Sequence, residues 1–405
     1  MDETIWLRTW ADARDAFRSR DLRQGLYDEA GRLMEGVIVN LHGDEHRARR
    51  RLENRLFRRE MFALFEREVI PTTIAAIVAP ALTAGSGDLL PLARRTMMKL
   101  ACVVAGLDST DDDFDDVFAL MNRLARASTA AHATSDRDAL RADGLAALAE
   151  VHLRFIGPSL ARRLLLKAEG KELPRDVLST LVTNQDSLHL APDVVVREVA
   201  YFPWVGSHST SNAFVHAMHH LFTWLIDHPD DREVLRNDPV VLQRFVHESL
   251  RLHPASPETH RVAESPTVIG THTIAADQRV IIDMVSANRD PSVWGVDAAN
   301  FNPARAIPPD ASPWGLSFGH GVHACLGMEL AGGLALESDP TESHLFGSIT
   351  TMARALLAHD VRPDPRQPAR LDHSTARVVY ESYPVLFGNV QASHQTAFAA
   401  HPPST

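Results

Sequence analysis

The stretch FGHGVHACLG, residues 318–327, constrains this chain more than any other. It gathers three glycines, two histidines and one of only two cysteines into ten positions. Gly319, Gly321 and Gly327 permit backbone angles and close approaches that a side chain would block, so a tight turn is expected. The run that follows, LGMELAGGLALE, predicts a helix and puts Cys325 just ahead of its N-terminus. Unpaired backbone N–H groups there stabilise negative charge and favour a thiolate. Two readings follow: a metal ligand, or a plain loop that carries a thiol. Zinc fits poorly. His320, His323 and Cys325 would need a fourth ligand, and no second Cys/His pair of suitable spacing is present.

The other cysteine, Cys102, lies in the apolar run LLPLARRTMMKLACVVAGL and reads as a small core residue in a helix ended by Gly106. Two cysteines cannot make a disulfide framework and suit a reducing cytoplasm. The balance of 41 Lys and Arg against 52 Asp and Glu, net −11, predicts no general affinity for nucleic acid. The N-terminus MDETIWLRTW lacks the basic-then-apolar run of a secretion signal. The most apolar stretch, VIPTTIAAIVAPALTAG, is interrupted by Pro71 and Pro80 and is short for a bilayer span. The expectation is a soluble, cytoplasmic monomer without membrane or nucleic-acid partners.

Most of the first 250 residues read as helix. EHRARRRLENRLFRREMFALFEREVI has Leu52, Leu56, Phe57, Phe62 and Leu64 at helical spacing. DDDFDDVFALMNRLARAS carries acids at its start and arginines toward its end, matching the helix dipole. APDVVVREVAYFPWVGSHSTSNAFVHAMHHLFTWLIDHPD reads as one long helix disturbed in its middle by Pro203 and Gly206, where Ser207, Ser209 and Thr210 can bond back to carbonyls. Two helices joined by a loop is the alternative. His216, His219 and His220 on it read as a solvated or core-edge face. TVIGTHTI and RVIIDMVSA read as strands, and SITTMARALLAH as a late helix. The fold class expected is mainly α (α-rich α+β), a helical domain with a small β-sheet domain.

Phe318-Gly319-x-Gly321-x-His323-x-Cys325-x-Gly327 resembles the haem-binding signature of the cytochromes P450, with every fixed position filled. The resemblance implies haem b (iron protoporphyrin IX) held by the Cys325 thiolate, with His323 on a propionate. ESLR resembles the ExxR motif, with Glu248 and Arg251 one turn apart, and FNPAR resembles the segment whose arginine, here Arg305, completes a buried structural cluster. EHRARR resembles the pattern in which a histidine and an arginine four residues later face a propionate, implying His46 and Arg50. Arg261 resembles a further propionate arginine. Arg47, Arg49 and Arg51 are read as a solvated face.

The resemblance covers nearly the whole chain, as a single domain over 1–405, and departs in three places. The N-terminus begins late relative to the family, and 337–347 looks like an insertion. The third departure bears on chemistry. Where the family's central helix reads Ala-Gly-x-Asp/Glu-Thr-Thr, this chain has VGSHST. Gly206 is kept, His208 takes the acid position, Ser209 the alcohol, and Thr210 the second hydroxyl. His208 either replaces the acid as a proton shuttle or points away into a polar pocket.

The implied activity is a monooxygenase inserting one oxygen atom from O2 into a small hydrophobic substrate. Electrons would come from NAD(P)H through a separate ferredoxin and ferredoxin reductase that docks on a basic face at the cysteine side. The substrate pocket is expected to include Phe202, Val205 and Thr259. Residues 22–41 and the segment FIGPSLARRLLLKAEG are expected to form its lid. The alternatives are a peroxide-driven or non-monooxygenase P450, suggested by the lost acid, and a catalytically weak haem-binding protein.

Overall fold

A computed structural model describes residues 4–134, 136–336 and 343–388. Helices dominate, and the larger of two cores wraps the central helix Pro192–Asp227, 36 residues long. A helix of that length needs partners along its flanks, because most helical stability comes from packing an apolar face. Its main partner is the helix Leu89–Ala105, on which Cys102 is 2% exposed. Asp88 caps that helix by accepting a bond from Leu90 N at 2.9 Å, and Gly106 ends it at φ +83°. The smaller core lies under a four-stranded sheet, in the order Ile5–Leu7, Arg279–Asp283, Glu258–Ala263, Leu22–Gln24. The first pair is parallel and the other two antiparallel. Alternation along Glu258–Ala263 buries Thr259, Arg261 and Ala263 on one face, which is how a strand delivers an arginine inward.

The central helix runs continuously through Pro203 and Gly206, one long helix as expected, without a local opening and without the loop of the alternative reading. The hydroxyls do bond back: Ser207 Oγ to Trp204 O at 3.3 Å, Ser209 Oγ to Val205 O at 2.7 Å, Ser211 Oγ to Ser207 O at 2.7 Å. These supplement the helix rather than split it, since packing holds both halves in line. A Cβ at Gly206 would meet Ala101 Cβ at 3.5 Å, ordinary contact, so neighbouring packing does not demand glycine there.

Three other expectations change. The arginine-rich helix is Gly43–Glu53 and then breaks at 54–58; Arg50 Nε donates to Asn54 Oδ1 (3.1 Å), and the break lets Phe57 stack on Phe202 at 5.9 Å. The helix after Cys325 is only Met328–Gly332. It stops at Gly333, φ +78°, where a Cβ would lie 2.3 Å from Gln243 Nε2. TVIGTHTI is a hairpin in itself, Thr267–Ile269 against His272–Ile274, while Arg279–Asp283 pairs elsewhere. Of the expected insertion, 337–342 lie outside the described residues, and His344 bonds Gln243 Oε1 at 2.9 Å. Among the described residues no helix is long and apolar enough to cross a membrane.

Candidate active site

A cavity of about 300 Å³ lies between the central helix and the cysteine loop. The loop is closed by Cys325 N donating to Phe318 O (2.8 Å) and Gly319 N to Leu316 O (2.8 Å). Gly319 and Gly321 take φ of +67° and +68°, and a Cβ on Gly321 would strike Phe17 O at 2.6 Å. Gly327 differs. Its φ is −90°, and a Cβ there would meet no protein atom within 4 Å, so what it leaves open is the cavity itself.

Cys325 lines that cavity and keeps an exposed surface toward it. Burial pushes its thiol up from the usual value, while the Gly327 N–H and Arg50 pull it down. The Gly327 N–H thus favours the thiolate as the sequence suggests, and a bound cation would add to that stabilisation. Around it stand His46, Arg50, Arg261 and His323, all lining the same cavity. The rings of His46 and His323 are 4.0 Å apart, and the Nε2 of each is buried without a hydrogen-bond partner. Burial and the charge of Arg50 hold His46 at about 4. Burial, His46 and Arg261 hold His323 at about 3. Arg50 donates to Ala324 O and Arg261 to Gln24 Oε1 and Thr259 Oγ1 (3.1 Å), but neither has an ion pair among the described residues. Burial pulls Arg261 down to about 10. Among the described residues no carboxylate lines the cavity. Four donors depressed by burial and lacking a counter-charge are what a buried dianion needs.

Behind the loop, Glu248 accepts from Arg251 Nε (2.7 Å) and from Arg305 Nε (3.0 Å), and Arg305 also reaches Asp297 (2.8 Å). The sequence reading missed the link onward. Asn288 Nδ2 donates to Arg251 O (2.9 Å) and Ser317 Oγ (3.0 Å), and its Oδ1 accepts from Leu316 N (2.7 Å), which ties the ion cluster to the cysteine loop. Arg49 is the plainest correction. It is 1% exposed and pairs with Glu198 of the central helix at 2.9 Å, instead of facing solvent as Arg47 and Arg51 do. Glu53, 0% exposed, lies beside them with both oxygens unpartnered, and burial with the nearby Glu198 raises its pKa well above the usual value.

On the opposite wall, Gly206, Ser209 and Thr210 face the cavity with Phe202, Val205 and Thr259. His208 does not. Its Nδ1 meets Trp204 O (3.0 Å) and Ser207 Oγ (3.2 Å), and its ring lines a second cavity of about 230 Å³. Burial and Arg94 depress it to about 3, so it is a neutral imidazole at pH 7. Tyr27, Leu26 and Ile38 of the expected lid do line the main cavity. The segment 155–170 lines neither cavity, because its Arg163 is pinned by Asp176 (2.6 Å) and Asp108 (2.9 Å). Met97, Leu100, Ala101 and Val104 of helix Leu89–Ala105 line it in its place. His320 bonds Arg18 (2.9 Å) and lies off the main cavity, and no group of three or more His, Cys, Asp or Glu among the described residues is placed to hold an ion by itself.

A profile of the cytochrome P450 family matches residues 233–332. Vitamin D(3) 25-hydroxylase of Pseudonocardia autotrophica is 29% identical over 371 residues, 88% of this chain and 83% of that protein. Mycinamicin VIII C21 methyl hydroxylase of Micromonospora griseorubida is 34% identical over 133 residues, 32% of this chain and 31% of that protein. The structure of CalO2 matches with a TM-score of 0.77 at 22% identity, covering 96% of this chain and 91% of that one, a likeness in fold. The chain belongs to the cytochrome P450 family; it is a P450 monooxygenase, and its cofactor is haem bound through a thiolate. The residues present fit that group: a thiol open to the cavity, an uncovered glycine beside it, and orphaned imidazole nitrogens among unpaired cations.

Proposed function

We propose that Cys325 is the iron ligand and that His46, Arg50, Arg261 and His323 hold the haem propionates. Haem with a thiolate ligand supplies dioxygen activation. This chain's own residues do the rest. Phe202, Val205, Thr259 and the face of helix Leu89–Ala105 exclude water and bind an apolar substrate. Ser209 and Thr210 hold and move protons at their hydroxyls on the cavity wall beside Gly206. His208 lies behind Ser209 and takes no part. Glu248, Arg251 and Arg305 act as structural support, through Asn288, for the cysteine loop.

Electrons come from NAD(P)H through a ferredoxin and its reductase. Arg47, Arg51, Arg55, Arg58 and Arg59 are exposed on and just after the helix that carries His46 and Arg50, a basic face suited to an acidic carrier. Two unpaired cysteines fit a cytoplasmic setting. Two relatives are named as hydroxylases, and hydroxylation of an apolar carbon is the reaction we assign.

One observation carries this reading: a thiol, four cationic or imidazole groups without an ion pair, and the Ser209 and Thr210 hydroxyls converge on one cavity that no carboxylate lines among the described residues. The same missing carboxylate favours a second reading, turnover driven by peroxide without O2 and a carrier. Assay of an apolar substrate with O2, ferredoxin, reductase and NADPH, beside an assay with peroxide alone, separates the two. Product only in the peroxide arm replaces the first reading by the second. Product in neither arm, across a panel of ligands that shift the haem spectrum, removes both.

A further inference from the structure

The second cavity holds several buried polar atoms that have no partner among the described residues. Arg94, Arg126, Arg377 and His208 line it, and among the described residues Asp372 is its only carboxylate. The Asp372 carboxylate accepts from Ser374 N (2.8 Å) and Ser374 Oγ (2.6 Å) rather than from an arginine. None of the three guanidinium groups makes an ion pair or hydrogen bond among the described residues. Arg94 Nε, Arg377 Nε, Asn122 Oδ1 and Asn212 Oδ1 are buried without a partner. Other acids within electrostatic reach are already engaged: Asp88 caps its helix, and Glu258 pairs with His260 at 3.1 Å. Burial lowers the pKa of both Arg94 and Arg377, and the acids in reach, Asp372 and Asp88 for the first and Glu258 for the second, offset this only in part and from outside hydrogen-bond contact.

The cavity also adjoins the main one. Tyr27, Val205, Ser209, Ala255 and Ser256 line both, and four of those five side chains are small or of moderate size. In the main cavity the cationic groups lie beside Cys325, while the wall bearing Phe202 and Val205 is apolar. An acidic substrate would find no free counter-charge on that wall, and the second cavity supplies one.

We propose that Arg94 and Arg377 bind the carboxylate of an amphipathic acid substrate, whose apolar remainder crosses the shared wall beside Ser209 into the main cavity. This rests on the reading of the main cavity as the haem and substrate site. A carboxylate accepts two parallel N–H bonds from a guanidinium, which fixes the orientation of the chain that follows it. The anchor therefore selects which carbon is presented, by counting from the acid end.

The test uses the haem-loaded protein with dodecanoate, methyl dodecanoate and dodecyltrimethylammonium, read by spin-state shift and by calorimetry. Dodecanoate should bind about tenfold or more tighter than its ester, and the ammonium compound weakest. Arg94→Gln with Arg377→Gln should bring the acid-to-ester ratio close to one. Asn212→Asp, which puts a carboxylate into the cavity without removing an arginine, should lower the ratio as well. Equal affinity for acid and ester in the unmodified protein, or a preference that survives the double substitution, overturns the proposal. Failure of the haem reading looks different: the reduced, carbon monoxide-treated protein would lack the thiolate band, while calorimetry would still report the preference for the acid.

Discussion

Two groups of histidines in this protein are depressed to similar degrees and do opposite things. His46 and His323, at about 4 and about 3, face the main cavity with unpartnered ring nitrogens and unpaired arginines beside them. His216, His220 and His253, at about 4, 3 and 2, are depressed mainly by burial. They are packed away: His216 Nε2–H donates to Val378 O at 2.8 Å, and the ring stacks on His253 at 4.4 Å. His220 stacks on Phe301 at 4.4 Å, and His219 meets Tyr383 Oη at 3.1 Å. Neither of the two cavities is lined by this second group. A shifted pKa thus marks burial in both places. His220 Nε2 is also buried without a partner, so an orphaned nitrogen alone does not mark a site; what separates the two groups is the open cavity that His46 and His323 face beside unpaired arginines.

The largest test of that contrast is Cys325→Ala. It should abolish the red-shifted band of the reduced, carbon monoxide-treated protein, and a band that survives would remove the cysteine loop from the site. Next in size is Arg49→Met, on the same helix as His46 and Arg50 but already paired. Leaving Glu198 buried without its counter-charge, with only the Ile38 N–H to bond it, should cost about 3–5 kcal/mol in denaturant unfolding while haem spectra of the folded fraction stay unchanged. If stability holds, the ion pair is not the tie between these helices.

His46→Phe with His323→Phe should sharpen the comparison from the cavity side. Haem should dissociate at least about tenfold faster to an apomyoglobin acceptor, with little change in the urea midpoint of the apoprotein. The reverse pattern would make these rings structural. On the other side, His253→Phe should leave haem retention alone and flatten the acid limb of stability. A histidine held below 6.5 in the folded state stabilises above 6.5 and loses that contribution as pH falls toward its folded value. At pH 5 the substitution should therefore narrow the gap by about 1–2 kcal/mol. An unchanged acid limb would assign the loss to other histidines. The smallest effect expected is Glu53→Gln. The carboxyl has a raised folded pKa, so its contribution is fully present below about 4.5 and is lost as pH rises. The variant should gain on the parent protein by up to about 1 kcal/mol between pH 5 and 8, and a loss would mean that Glu53 is ionised and paired.

Much of the site was legible along the chain, because its parts are local. The cysteine turn follows from its glycines, while His46 with Arg50 and the Glu248–Arg251 pair were reached through short motifs that resemble the family's, each contained within about one turn of helix. Arg49 was misread because one turn of helix with four arginines has no internal sign of which one points inward; only the arrival of Glu198 from 149 positions away decides it. His208 was ambiguous for the same reason. Its place on the helix was clear, but the side of the wall it takes depends on Trp204 O, Ser207 and Arg94 around it. Asn288 carried no signal at all, since its three bonds join segments that only the fold brings together.

The sequence by itself determined the helical class, the glycine turn around Cys325 and the residue types able to grip an anionic, thiolate-bound cofactor, since those depend on backbone freedom and on spacing within a turn or two. Only the tertiary structure decided which charges are paired, which arginines stand idle around the second cavity and where each imidazole faces. Those outcomes depend on desolvation and on partners that are distant in the chain, and electrostatic energy is set by distance in space rather than by position in sequence.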